Sequence, residues 1–398
     1  MPPKLLQTRS DFNTSTSPTE FRSQFTHPGD VFSILLLLGP DVVAQAIAQL
    51  AGGLLCPVTF SFGWVAYGVS ALVSAVGENK LMPDVARGSS SIVINGNNGY
   101  VRNNNSWVIE RLIRDYEKWM HPDTEAAVEL NKDDKLEALR LKAQEKGRDE
   151  SLLERPAQAG LCIAVYKPSE TRIAAQFDKD MLYYSGLVIA AFQLGIAAIP
   201  YGLFGDEGIF MITIAGIILS FLSGSLPQWK REKWACRRDT NKHVTLTRGN
   251  GSQHAIIVLG NGHGLDLEDL ANGPANNDAS ASIQTRVASI GLAIAWVLLL
   301  IAAAGLKENT WFLLAVGSVG MLQNVAVAGY ARQPSALGVH LDFVQVLRHY
   351  KVMDALYEVE KTYPGVGASM RATFFPGELN TREKKTWEAF AADRKRGC

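Results

Sequence analysis

The stretch MLYYSGLVIAAFQLGIAAIPYGLFG, residues 181–205, decides the fold class because it contains no Asp, Glu, Lys or Arg. Charged residues make up 20% of the whole chain, so a run of this length without one is informative. Further charge-free runs cover 42–77, 208–229, 287–306 and 309–331. A helix needs about 20 mainly apolar residues to cross a hydrocarbon core about 30 Å thick. The pattern therefore predicts an α-helical integral membrane protein.

Six spans follow if the first run, extended back to Val31, holds two helices and the other runs hold one each. We expect three hairpins, because short turns join successive pairs of spans. The predicted spans are 31–50, 54–76, 181–203, 208–226, 287–306 and 311–331. The predicted division of the chain is a disordered tail at 1–30, transmembrane hairpins at 31–77, 181–226 and 287–331, cytoplasmic loops at 78–180 and 227–286, and a cytoplasmic helix and tail at 332–398.

The orientation follows from the basic residues near the span ends. Lys230, Arg231 and Lys233 follow the fourth span and Arg332 follows the sixth, whereas the short turns contain only Lys307. Loops rich in Lys and Arg stay in the cytoplasm. We therefore expect the large loops and both termini in the cytoplasm, with the spans in the plasma membrane or an endomembrane.

Short alternating patterns in the polar segments predict a small cytoplasmic α+β domain. β-branched runs predict strands at 91–94, 160–166, 243–247 and 254–259. Asn250-Gly251 is a hairpin signal between the last two strands. Because isolated hairpins are marginally stable, strands from different loops are expected to pair in one sheet.

Helical patterns complete this domain. Ser106 is the expected N-cap of a helix that ends at Met120, and Asp123 the expected N-cap of a charged helix to Gly147. Apolar residues at helical spacing predict an amphipathic helix over 341–361 after the last span.

Asp41 is the one ionisable residue inside a predicted span. An unpaired acid at mid-membrane costs about 2.5–3.5 kcal/mol. Asp41 follows Gly39-Pro40, so we expect the helix to break or kink there. Gln45 and Gln49 lie four and eight residues further on, so the three side chains share one stripe.

The later spans contain three more amide side chains that could join this stripe in a polar intramembrane path: Gln193, Gln323 and Asn324. The functional hypothesis is a path for an ion or a solute. The structural alternative is that Asp41 caps the second half of a broken helix while the amides hydrogen-bond to neighbouring spans.

The sequence contains no recognisable catalytic motif, which disfavours an enzyme and predicts no cofactor. His243, His254 and His263 are weak metal candidates that would converge only if their strands pair, and surface histidines are the alternative. The glycine run 260–264 follows a strand, but its spacing does not fit the dinucleotide-binding fingerprint. Cys398 follows a basic run, which leaves lipidation open although a C-a-a-X box is lacking.

Three stretches of this chain resemble uncharacterised multi-pass membrane proteins of filamentous fungi. They read GPDVVAQAIAQL at 39–50, FSFGWVAY at 60–67 and LGNGHGLDLEDL at 259–270. The resemblance covers much of the chain and implies a multi-pass membrane fold, but it implies no activity.

Two functions therefore stay open at this point. The first is solute or ion passage along the polar path, with the α+β domain as a regulator. The second is a non-transporting membrane scaffold that presents this domain to a protein partner. The lipid bilayer is an expected partner in both, a homo-oligomer stays open, and zero net charge predicts no nucleic-acid partner.

Overall fold

The computed structural model describes residues 39–78, 80–85, 90–147, 149, 153–273 and 279–396. The predicted tail at 1–30, the first part of span 1 and Cys398 lie outside the described residues. The helices in chain order are α1 (Pro40–Leu50), α2 (Gly63–Val73), α3 (Trp107–Arg114), α4 (Tyr116–Trp119), α5 (Pro122–Glu145), α6 (Met181–Phe204), α7 (Gly208–Gly224), α8 (Pro227–Lys233), α9 (Leu267–Ala271), α10 (Ile283–Ala304), α11 (Thr310–Gly329), α12 (Val352–Thr362), α13 (Val366–Phe374) and α14 (Thr381–Arg396).

The strands in chain order are β1 (Ile92–Asn95), β2 (Val101–Asn103), β3 (Leu161–Pro168), β4 (Arg238–Thr240), β5 (Val244–Thr247), β6 (His254–Val258), β7 (His263–Leu265) and β8 (Leu341–His349). Six of them form one sheet in the order β2-β1-β5-β6-β3-β8, and β4 pairs with β7 separately. The pair β3 and β6 is parallel, and the other pairs are antiparallel.

Four helices, α6, α7, α10 and α11, are long and apolar enough to cross a membrane. Helices α1 and α2 have 11 residues each, which is about 16 Å and too short to cross alone. The six form a closed ring, in which α1 packs on α11, then α6, α7, α10 and α2 follow, and α2 returns to α1. We call this ring the bundle. Four spans are thus supported, and the predicted six spans and three hairpins are not confirmed.

The predicted second span, 54–76, is not one continuous helix. Residues 51–62 are non-helical, and helix begins only at Gly63 and continues as a π-helical turn over Ser74–Glu78. Gly52 has a φ of 129°, and Pro57 has no N–H to donate, so helical hydrogen bonding cannot run through this stretch. Helix α1 begins at Pro40, directly after Gly39 with its φ of 114°. The first half of the predicted broken helix lies outside the described residues, so the break itself stays a prediction.

The prediction that strands from different loops pair in one sheet is confirmed. Strands β1, β2 and β3 come from the first long polar segment, β5 and β6 from the second, and β8 from the C-terminal one. The β5–β6 hairpin forms around Asn250-Gly251 as expected. Ser106 caps α3 through its side chain, whereas α5 begins at Pro122 with His121 rather than Asp123 as its N-cap.

The predicted helix over 341–361 is wrong in its first half. Leu341–His349 is strand β8, and helix α12 begins only at Val352. Strand β8 pairs along the whole of β3, with a register shift opposite Val165. The apolar residues of this segment fit the spacing of a helix as well as the alternation of a strand. Because the segment can pair with the edge of β3, it forms a strand.

The sheet has two packed faces, which place it between two helical layers. One face, including Val93, Leu246 and Ile256, joins α3, α4, α9 and the bundle in one continuous hydrophobic core. The other face, including Ile163 and Ile257, packs on α12, α13 and α14. We call the sheet and its packed helices the sheet domain. It lies at the end of the bundle where α6 begins and α11 ends, which we call the sheet end.

Candidate functional site

The non-helical stretch 57–62, here the buried linker, lies inside the bundle and is almost completely shielded from solvent. Backbone groups at membrane depth have no water to bond with, so each needs a partner within the protein. Gln193 of α6 donates from Nε2 to the Phe60 carbonyl oxygen at 2.7 Å and to the Val316 carbonyl oxygen at 2.8 Å. Helix α6 thereby binds both the linker and α11.

Asn324 of α11 makes the second set of bonds to the buried linker. Its Nδ2 donates to the Thr59 carbonyl oxygen at 3.0 Å and to Ser61 Oγ at 3.1 Å. Its Oδ1 lies 2.9 Å from the Thr59 hydroxyl, which also lies 3.0 Å from the Gly320 carbonyl oxygen. Trp64 donates from Nε1 to the Thr59 carbonyl oxygen at 2.8 Å. These side chains satisfy the carbonyl oxygens of Thr59 and Phe60, which would bond to backbone N–H groups in a helix.

Two glycines let the spanning helices approach the linker closely. A Cβ on Gly320 of α11 would overlap with the Phe60 carbonyl oxygen, and one on Gly186 of α6 would overlap with that of Pro57. Helices α6 and α11 therefore touch the linker with their backbones. This fit leaves no room for a solute between them in the described arrangement.

A second polar cluster lies at the sheet end, where three buried basic side chains contact helix C-termini. Lys233 donates from Nζ to the carbonyl oxygens of Gln49 at 3.1 Å and Ala51 at 2.9 Å, at the end of α1. Arg332 also donates to Gln49 O and pairs with Asp180 at 2.7 and 2.9 Å. The C-terminal carbonyls of a helix carry partial negative charge, which favours basic hydrogen-bond donors at this place.

Arg111 of α3 is the third cation and binds the end of α11. It donates from Nη2 to the carbonyl oxygens of Ala328 at 2.8 Å and Tyr330 at 3.2 Å. Burial, and next the neighbouring Arg114, lowers the pKa of Arg111 to about 10, so it stays charged at neutral pH. We call Arg111, Lys233 and Arg332 the cationic seat. It joins the sheet domain to the ends of two bundle helices.

The structure separates the predicted path residues into distinct places. Gln193 and Asn324 meet at the buried linker, whereas Gln323 donates to Ser185 Oγ at 2.7 Å on another side of α11. Gln49 donates to the Tyr330 carbonyl oxygen at 2.9 Å at the sheet end. That these residues line a path stays a prediction.

The stripe on α1 runs from the start of that helix to its end. Gln45 accepts a hydrogen bond from Trp107 Nε1 at 2.7 Å, which links α1 to α3. Asp41 lies in the first turn of α1 and is exposed, with no hydrogen-bond partner among the described residues. Its carboxylate suits the positive end of the helix dipole.

Sequence reasoning missed Thr59 and Ser61 of the linker and used Lys233 and Arg332 only as markers of orientation. A usable signal for the linker was present, since Pro57 stands inside an otherwise apolar run. Nothing local to Lys233 indicated that its ammonium group would be buried against a helix that ends near residue 50.

The three histidines proposed as weak metal candidates do not converge. His243 accepts from the Gly260 N–H at 3.1 Å, near the end of β6, whereas His254 opens the same strand. His263 is exposed in β7. Among the described residues no group of three His, Cys, Asp or Glu side chains could hold a metal ion.

Comparisons with known proteins add no assignment to this geometry. No family model matches the chain, and no curated protein or solved structure matches it either. What the arrangement can do is therefore decided by its own contacts.

Proposed function

We propose that this protein is a membrane-embedded scaffold that holds its sheet domain at the cytoplasmic face of a membrane for a protein partner. The proposal rests on the hydrogen bonds that the amide side chains of the predicted spans make to other protein groups. Each makes at least one hydrogen bond to a protein group: Gln45, Gln49, Gln193, Gln323 and Asn324. The Oε1 atoms of Gln49 and Gln193 are buried and have no hydrogen-bond partner among the described residues. Amides that bind neighbouring helices stabilise a bundle, and this is the role that the bonds support.

The attachment of the sheet domain supports the same function. One hydrophobic core runs from the bundle through α3 and α4 to the sheet, and the cationic seat adds charged hydrogen bonds at the same place. A domain fixed in this way is presented in one orientation relative to the membrane, as a scaffold requires.

The cytoplasmic placement is part of the proposal. Lys230, Arg231, Lys233 and Arg332 lie at the sheet end, whereas the turns at the other end contain a single basic residue, Lys307. Positively charged segments are retained on the cytoplasmic side.

Reconstitution tests the absence of transport. The purified protein is placed in liposomes, and K⁺, Cl⁻ and proton fluxes are compared with those of protein-free liposomes. The scaffold proposal expects no protein-dependent flux. A flux that rises with the amount of protein and falls in an Asp41→Asn variant would contradict it.

The test of partner binding uses the full chain. Segments 227–286 and 332–398 alone would supply only part of the one sheet. A photo-crosslinking residue is placed in cells at exposed Lys385 of α14, and for comparison at exposed Leu322 on the bundle. We expect a discrete protein adduct at positions on the sheet domain and none at Leu322. The adduct mass separates a second copy of the chain from another partner, and no adduct at any exposed position of the domain would refute the scaffold.

A second candidate, ion or solute passage, is favoured by one observation. Helices α1 and α2 start side by side, since a Cβ on Gly63 would lie 2.9 Å from the Gly39 carbonyl oxygen. A Cβ on Gly39 would also overlap with the end of the Met321 side chain, in the middle of α11. Helix ends that meet inside a membrane bind ions in many transporters. The Asp41→Asn flux measurement decides between the two candidates.

A further inference from the structure

A cavity of about 110 Å³ lies between the helices α3 and α4 and the β5–β6 hairpin. An apolar cavity of about 150 Å³ accommodates a benzene molecule. The present cavity is therefore large enough for a group of about five heavy atoms and too small for a nucleotide. Its polar lining comes from Arg114, Thr247, Arg248, Ser252 and His254, with Glu117 as the one acid.

The position of the cavity relates it to the membrane surface. Arg114 ends α3, and its Nη2 lies 3.4 Å from the carbonyl oxygen of Gly329, the last residue of spanning helix α11. The cavity thus lies beside the level at which the bundle ends. In a bilayer this is the level of the lipid headgroups.

Arg248 is the side chain in this lining with the most unused hydrogen-bonding capacity. Its side chain is exposed at the edge of the cavity, its Nη2 donates to the Arg114 carbonyl oxygen at 3.5 Å, and it forms no ion pair with a carboxylate among the described residues. Arg114, in contrast, already pairs with Asp115 at 2.6 and 3.0 Å. A free guanidinium fork matches two oxygens of a phosphate group.

His254 supplies a neutral polar group to the same wall. Its ring stacks edge-on against Tyr116 with centroids 5.3 Å apart. Burial lowers the pKa of His254, so the imidazole is neutral at pH 7. A neutral imidazole adds no positive charge but offers a hydrogen-bond donor to an anion.

We propose that this cavity binds a phosphate group, held chiefly by Arg248 at the membrane surface. The group comes either from a phospholipid headgroup or from phosphate in solution, because both present the same tetrahedral oxyanion. The site is independent of the scaffold proposal, since it concerns a small ligand and not a protein partner.

The test uses the full-length protein and its Arg248→Gln variant. Exposed Arg231 of α8 is also basic and close to the sheet end but does not line the cavity, so Arg231→Gln is the matched control. Inorganic phosphate is titrated against the detergent-solubilised protein with chloride as the control anion. In a separate arm, nanodiscs of phosphatidylcholine are compared with nanodiscs that also contain phosphatidic acid, and retained lipid is counted by native mass spectrometry.

We expect Arg248→Gln to weaken binding roughly tenfold or more, because a hydrogen-bonded charge pair is lost. Arg231→Gln should bind like the wild-type protein, and all three should melt at the same temperature without ligand. Saturable binding of inorganic phosphate assigns the soluble source, and retention of phosphatidic acid alone assigns the lipid. Equal binding by the wild type and Arg248→Gln in both arms, or equal loss in both variants, would overturn the proposal.

Discussion

Replacing Asn324 by alanine should destabilise the bundle far more than the same change at its neighbour Gln323. Asn324 makes three hydrogen bonds to the buried linker, two from Nδ2 and one to Oδ1. Gln323 makes one, to Ser185 Oγ. Both residues lie side by side on α11, so their depth in the membrane is matched. Asn has a lower helix propensity than Gln, so alanine gains more at position 324, which works against the predicted difference.

The magnitude follows from the number of bonds. A hydrogen bond between membrane helices contributes on average about 0.6 kcal/mol and at most about 1.7 kcal/mol. Three bonds give about 2 kcal/mol at the average value and about 5 kcal/mol at the maximum. The Thr59 carbonyl oxygen keeps Trp64 Nε1 as a partner, and the Thr59 hydroxyl keeps the Gly320 carbonyl oxygen. We therefore expect a loss near the lower value for Asn324→Ala, and about 0.6 kcal/mol for Gln323→Ala.

The free energy of unfolding is measured by titration with dodecyl sulfate in mixed micelles, with tryptophan fluorescence as the signal. Both variants and the double variant are compared with the wild type. The reasoning predicts that the two losses add, because the side chains bind different elements. Equal losses for Asn324→Ala and Gln323→Ala would show that the linker does not depend on Asn324, and would refute the account of the buried linker.

Further predictions concern packing, the cationic seat and orientation. Gly320→Ala should lower the free energy of unfolding by about 1–3 kcal/mol, because its Cβ would overlap with the linker backbone. Gly329→Ala, with open space around it, should be neutral or slightly stabilising in the same titration. Lys233→Met should lower the free energy of unfolding by about 1–3 kcal/mol, because the buried Ala51 carbonyl oxygen loses its donor. Lys230 is exposed, so Lys230→Met should change it by less than about 0.5 kcal/mol. Equal effects of the two substitutions would contradict the role given to the cationic seat. The exposed sequon at Asn250 should carry no glycan when the chain is made with microsomes, and a glycosidase-sensitive mass shift would reverse the orientation.

Four of the six predicted spans and four of the eight described strands, β1, β3, β5 and β6, could be predicted because their causes are local. A run without charge, such as 181–205, has few alternatives to a membrane helix once it reaches about 20 residues. The β5–β6 hairpin was equally local, since Asn250-Gly251 specifies the turn between two β-branched runs.

Pro57 signalled an interruption of this apolar run, but the course of the linker could not be predicted because the side chains that bind it lie far away in the chain. Thr59 and Asn324 bond across a sequence separation of 265 residues, and the apolar composition of 54–62 suits a helix as well as an extended stretch. The extended backbone is stabilised because Gln193 and Asn324 lie beside it and donate hydrogen bonds to its carbonyl oxygens. The prediction of a helix over 341–349 was wrong for a related reason. Pairing with β3, and not the apolar pattern of the segment itself, decides that it is a strand.

The candidate path illustrates the same limit for function. The sequence singled out Gln193 and Asn324 as polar residues within predicted spans. It could not distinguish an amide that faces a solute from one that binds backbone, because both need the same residue type in the same apolar surroundings. The contacts of the buried linker favour the second role.

An electron cryomicroscopy map of the full-length protein in lipid nanodiscs tests the central claim most directly. The account predicts extended backbone density over residues 57–62 inside the bundle, with the side chains of Gln193 and Asn324 in contact with it and no continuous wet channel beside them. Continuous helical density from 54 to 76, or a water-filled passage lined by those amides, would contradict it.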